Sequence, residues 1–203
     1  MAAAKKTAPK KPAKKTPEPQ ELLLEELREI YSAEKQVQRF MPRALKAIET
    51  DAVRERLERR QEEGQRLTED LDRVFEEMDA SPGRKKNTAV EGLLADFQEH
   101  IQEIERGPAL DAVLIGGVQK LEHYCIAAWG TVKAWGALLG NDTLVQSMER
   151  AIEEGKRYDD DLTRLAVEEV NPMMLEEGGE EVDDEDEAPR SRARKSDGEG
   201  ARA

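Results

Sequence analysis

The chain has 203 residues, of which 38% are charged, 37% hydrophobic and 4% aromatic, and its formal net charge is -13. That length holds one domain of ordinary size plus tails, and usage rich in Ala, Leu, Glu, Lys and Arg without strand-forming runs excludes a β architecture and predicts an all-α chain. The acidity argues against nucleic-acid binding by the surface as a whole, the single cysteine, Cys125, excludes an internal disulfide framework, and no apolar run approaches membrane-spanning length.

Residues 1–19 contain six lysines, four prolines and no acid before Glu18. Such a segment cannot bury a core and is expected to be disordered. It reads either as a solubilising tail or as an electrostatic arm making weak contact with DNA phosphates. It lacks the apolar run of a secretory signal, which predicts a cytoplasmic location.

From Gln20 to Pro172 the pattern is helical, and this stretch is the expected domain. Leu23, Leu27, Ile30, Glu34, Val37, Met41, Leu45 and Ile48 fall on one stripe by steps of four and three, with Glu34 its only charge. Pro42 is expected to kink or restart that helix. A second helix from about Asp51 to Met78 carries Val53, Leu57, Arg60, Gly64, Leu67, Leu71, Val74 and Met78 along its seam, with Glu63 on the edge. The turn-rich segment DASPGRKKN follows, and Asn87 is placed to cap an amphipathic helix bearing Val90, Leu94, Phe97, Ile101 and Ile104.

The next helix, between Asp111 and Gly140, has two adjacent seams. One, Leu114, Val118, Leu121, Cys125, Ala128, Val132, Trp135 and Leu139, carries no charge; the other, Ile115, Gln119, Glu122, Ile126 and Trp129, puts one carboxylate among apolar neighbours. A last long helix from Asp142 to about Val170 has the seam Val145, Met148, Ile152, Gly155, Asp159, Leu162 and Ala166, and Pro172 is expected to end it. Residues 173–203 hold nine acids between Glu176 and Glu187 and then the basic run RSRARK, expected to be a disordered acidic-then-basic tail. The long link between the second and third long helices predicts a ferritin-like four-helix bundle with an additional crossover helix at that point.

Each long helix therefore offers a carboxylate on or beside its packed stripe: Glu34, Glu63, Glu122 and Asp159. A buried carboxylate needs a proton, a partner or a metal, and hard cations shared between facing helices take several such oxygens. The slots three or four residues away are poor in further ligands, since Glu63 is followed by Arg66 and Leu67, Glu122 by Cys125 and Ile126, and Asp159 is preceded by Gly155. His123 points about a hundred degrees around the helix from Glu122 and reads as a hydrogen-bonded structural residue. His100 is expected to be exposed, Tyr31 to fill core or donate to a carboxylate, and Trp129 and Trp135 to be packing anchors.

Taken together, ELREIYSAEKQ at Glu26 to Gln36, PGRKKNTAVEGL at Pro82 to Leu93, QKLEHYCIAAWGTVKAWG at Gln119 to Gly136 and the LGND before the last helix resemble the YciE/YciF family of ferritin-like stress proteins. The resemblance covers about Gln20 to Ala166. It implies a ferritin-like bundle, a homodimer, and a di-metal site of the ferroxidase type holding iron or manganese. Glu34, Glu63 and Glu122 match the family's carboxylate positions and Asp159 the aspartate of its last helix. Cys125, Gly155 and Leu67 depart from the family pattern at positions that usually carry a glutamate, a second glutamate and a polar residue. A partly degraded metal site with ferroxidase or peroxide-consuming activity is one reading; Cys125 is either a replacement ligand or a packed core thiol. The other is a metal-free structural or DNA-associated stress protein whose buried carboxylates are either raised in pKa or paired with Arg60 or Arg66.

Overall fold

The computed structural model describes residues 16–179. The apolar stripes become helices α1 (Pro19–Ala47), α2 (Asp51–Glu77), α4 (Pro108–Leu138) and α5 (Asp142–Leu165), with α3 (Thr88–Glu103) crossing between α2 and α4. No strand occurs among the described residues, and no helix there is long and apolar enough to cross a membrane. Each long helix packs on two others, in the order α1, α2, α5, α4 around the bundle, while α3 lies over α1 and α4. This is the expected ferritin-like arrangement with its crossover helix. The two charged tails fall almost wholly outside the described residues.

Local chemistry sets the connections. Gly140 takes a φ of +73°, which a glycine adopts without steric cost, and the Asn141 N–H donates to the Gly136 carbonyl at 2.9 Å, closing α4 in a Schellman turn. The Asn141 side chain then accepts from the Leu144 N–H at 2.9 Å and starts α5. Asn87 caps α3 as the sequence predicts, accepting from the Val90 N–H at 3.0 Å. Its backbone N–H donates to Ser32 Oγ at 3.1 Å, and its side-chain amide donates to the Glu29 carbonyl at 3.1 Å and to the Tyr124 hydroxyl at 2.8 Å. One asparagine thus fastens the crossover to α1 and α4.

Three expectations need correction. Helix α1 does not restart at Pro42 but runs through it without interruption, the proline lying on its exposed side. Pro172 does not end the last helix: α5 passes into a π turn, Ala166–Val170, and continues as α6 (Asn171–Gly179), so helix extends past the boundary expected at residue 172. The wider turn places the proline at a change of register rather than inside a regular ladder. Finally, the packed stripe of α5 keeps Met148, Gly155 and Leu162 of the predicted seam but takes Leu144, Ala151, Tyr158 and Leu165 in place of Val145, Ile152, Asp159 and Ala166. Tyr158, wholly buried, takes the inward position, and Asp159 moves to the flank.

Candidate metal centre

Glu34 on α1 and Glu122 on α4 are both almost fully buried, and the structure brings them together. What lies between them is the side chain of Arg60, on the packed seam of α2 and itself 4% exposed. Its Nη1 and Nη2 donate to Glu34 Oε2 and Oε1 at 3.3 and 3.2 Å, and its Nε donates to Glu122 Oε2 at 2.8 Å. The planar fork of a guanidinium suits this bidentate contact on one side and leaves an N–H for the second carboxylate. The Trp129 ring closes over it at 5.8 Å from the guanidinium carbon. Three helices are tied at one buried cation.

Two glycines make room for this clasp. A Cβ at Gly64, one turn after Arg60, would come within 2.7 Å of Arg60 Nη1 and 2.9 Å of Glu34 Oε2. A Cβ at Gly155 would meet Glu122 Oε1 at 2.6 Å and the Trp129 ring at 2.9 Å. Gly155→Ala is therefore expected to destabilise the protein. Overpacking costs about 1 to 3 kcal/mol and exceeds the roughly 1 kcal/mol gained in helix propensity, because the carboxylate is held by Arg60 and the indole by the core. A fall in the urea midpoint at unchanged m-value would show it.

Burial dominates the protonation equilibria here. Glu122 is pushed above the usual carboxylate range by desolvation, which the Arg60 charge only partly offsets. Burial also opposes the charge on Arg60, but the carboxylates of Glu122 and Glu34 outweigh it and hold the guanidinium well above its ordinary value. The Cys125 thiol is raised well above its usual value by burial and then by Glu34 and Glu122, so it stays protonated. It packs as a core thiol.

The other two candidate ligands lie elsewhere. Glu63 sits on the rim beside Arg59, with Arg59 Nε at 3.9 Å, and its carboxyl is raised by burial and by neighbouring Glu154. It borders a small void of about 10 Å³ that Glu122 and Gly155 also line. Asp159 is on the flank of α5, accepting from Gln119 Nε2 at 3.0 Å and lying 3.3 Å from Nε2 of the exposed His123. His100, on α3, lies 3.8 Å from Asp96. Tyr31 packs edge-on against Phe75 with ring centroids 5.8 Å apart, and its hydroxyl is raised by burial and by Asp72.

As arranged, these residues do not fit a di-metal centre. The space between Glu34 and Glu122 holds a guanidinium bonded to both. Among the described residues, no three of His, Cys, Asp and Glu gather closely enough to hold a metal ion. Glu122 Oε1 and Glu63 Oε2 are buried without a hydrogen-bond partner, but the void beside them is scarcely the size of one water molecule.

Sequence reasoning missed the role of Asp111. Wholly buried in the first turn of α4, it accepts from the backbone N–H groups of Glu49 and Thr50 at 3.0 and 2.7 Å, pinning the α1–α2 corner to the start of α4. The available signal was a lone acid between Leu110 and Leu114 in an apolar run. Tyr158 was missed too, because the expected α5 seam puts Asp159 in the inward position between Gly155 and Leu162.

Fold and site together define a ferritin-like helical bundle whose interior carboxylates are bridged by an arginine. Residues 18–174 match the family described as Domain of unknown function (DUF892). The chain is 34% identical over 146 residues to Protein YciF of Escherichia coli (strain K12), an alignment covering 71% of this chain and 88% of that protein. Its structure is similar to the crystal structure of the E. coli stress protein YciF, with a TM-score of 0.73 and 32% identity over 77% of this chain and 99% of that one. It is also similar to YcfI from Rhodopseudomonas palustris, with a TM-score of 0.69 and 32% identity over 72% of this chain and 94% of that one. The chain belongs to the YciE/YciF family.

Proposed function

We propose that this chain is a metal-independent, structural member of the family, acting in the stress context for which its E. coli relative is named, with Arg60 taking the place of a metal ion. The observation that carries this reading is the set of three hydrogen bonds from one buried guanidinium to Glu34 and Glu122. A monovalent organic cation bridges the two carboxylates without an open coordination position, so the bundle keeps its shape and loses the means to activate oxygen or peroxide. The R. palustris relative is itself described as a candidate structural protein.

The competing reading is iron or manganese on Glu34, Glu63, Glu122 and Asp159 with ferroxidase or peroxide-consuming chemistry, and it is favoured by the two unpartnered carboxylate oxygens of Glu63 and Glu122. It requires Arg60 to withdraw and Asp159 to turn inward. Metal analysis separates the two. After aerobic loading with iron(II) or manganese(II) and desalting, the protein is expected to retain well under one ion per chain, and its melting temperature is expected to be the same with and without chelator. Stoichiometric retention of either metal would overturn the arginine reading. A homodimer, and weak DNA contact through the lysine-rich residues 1–19, belong to the same proposal as its partners. That arm lies outside the described residues apart from residues 16–19.

A further inference from the structure

The PGRKKN segment, part of the family resemblance, has no place in the buried clasp. In this strongly acidic chain it arches over α1 and encloses a concavity of about 350 Å³ whose rim carries six cations: Arg28, Lys35, Arg39, Arg84, Lys85 and Lys86. Three of them have carboxylate partners. Arg28 bonds Glu25, Lys85 lies 2.9 Å from Glu25 and 2.8 Å from Glu29, and Lys86 bonds Glu91. Among the described residues, Lys35, Arg39 and Arg84 have no acidic partner, and Lys35 instead lies 5.3 Å from the centre of the Tyr31 ring.

The loop that carries half of this charge is fixed at both ends. Arg28 Nε donates to the Ser81 carbonyl at 3.1 Å, and the Gly83 N–H donates to Ser81 Oγ at 3.2 Å. Gly83 has a φ of +67°, which lets the chain reverse directly over Arg28. At the far end Asn87 is bonded to Ser32, Glu29 and Tyr124, and its carbonyl accepts from Gln36 Nε2 at 3.2 Å. The cations are thus presented by a fixed frame rather than by a loose strand, which lowers the ordering cost of binding.

We infer that this concavity, between α1 and the Pro82–Lys86 loop, is a binding site for a small, multiply phosphorylated anion. Two unpaired arginine forks can each hold phosphate oxygens bidentately, and three unpaired positive charges favour an anion of several charges, such as a di- or triphosphate, over a single carboxylate. The volume lies at the small end of ligand sites and encloses a compact anion, whereas a duplex would need an extended line of contacts. The inference does not depend on what Arg60 replaces.

The test is titration calorimetry of the full-length protein at low salt with inorganic triphosphate, with ATP, and with a short DNA duplex, repeated on the Arg39→Gln/Arg84→Gln double variant. Both side chains are exposed, so the unliganded melting temperature is expected to be nearly unchanged. Triphosphate is expected to bind the wild type and to bind the double variant at least about tenfold more weakly. Equal affinity for triphosphate and ATP assigns recognition to the phosphate chain alone, and tighter ATP binding adds a contact from the nucleoside. No binding of either, or equal binding by wild type and variant, overturns the inference; the latter locates the affinity elsewhere, such as the lysine-rich tail. Duplex binding that the double variant loses, without any triphosphate binding, overturns it in favour of a nucleic-acid surface.

Discussion

Replacing Arg60 with methionine is expected to destabilise the protein by roughly 3 to 5 kcal/mol at neutral pH, because it leaves the buried carboxylates of Glu34 and Glu122 without a counter-charge. For a chain of this size that corresponds to a fall in melting temperature on the order of 10 °C. The defect carries a pH signature. Burial already raises the Glu122 carboxyl in the folded protein, so its contribution to stability is complete below the ordinary carboxylate value and is lost as pH rises through the raised one. Removing the guanidinium raises it further. The gap between variant and wild type is therefore expected to narrow as pH falls from about 8 to about 5, measured by urea melts at each pH. Replacing all three residues, as Glu34→Leu/Arg60→Met/Glu122→Leu, is expected to restore stability to near the wild-type level, since the destabilisation comes from unpaired charge and not from lost volume. A single Arg60 variant as stable as wild type at every pH would remove the clasp from the account.

Asp111→Ala is the second large effect, at about 1 to 3 kcal/mol, from leaving the buried N–H of Thr50 and the part-buried N–H of Glu49 without an acceptor at the α1–α2 corner. Asp111→Asn keeps one acceptor oxygen and turns an N–H toward the other donor, so an intermediate loss is expected. Hydrogen exchange locates the effect: the Glu49 and Thr50 amides should lose protection ahead of the bundle core in the alanine variant. Unchanged protection at those amides would mean that the corner is held by something else.

The scaffold was legible because helical stripes are periodic, and periodicity is a local property. Leu23 to Met41 on α1 and Val53 to Val74 on α2 fall where steps of three and four place them, and the long link after α2 announced the crossover. Where two stripes compete, the reading slips. On α5 the choice between Asp159 and Tyr158 is decided by which side chain tolerates complete burial, and the tyrosine ring does. The centre was half legible. Spacing put Glu34 and Glu122 on inward faces and put Arg60 on the seam of α2, but the counter-ion for the carboxylates depends on how far a long flexible side chain reaches across a bundle. Asp111 escaped for a related reason, because its partners are backbone groups of a turn some sixty residues earlier in the chain, and no side-chain pattern marks them.

The glycines flanking the guanidinium couple three positions of the chain to one another. Placing any side chain at position 155 would drive its first carbon into Glu122, and enlarging position 64 would drive one into Arg60 and Glu34, for as long as the arginine stays. Losing the arginine first leaves two stranded acids. Positions 60, 64 and 155 therefore constrain one another, and a change at any one of them is expected to cost stability unless another changes with it.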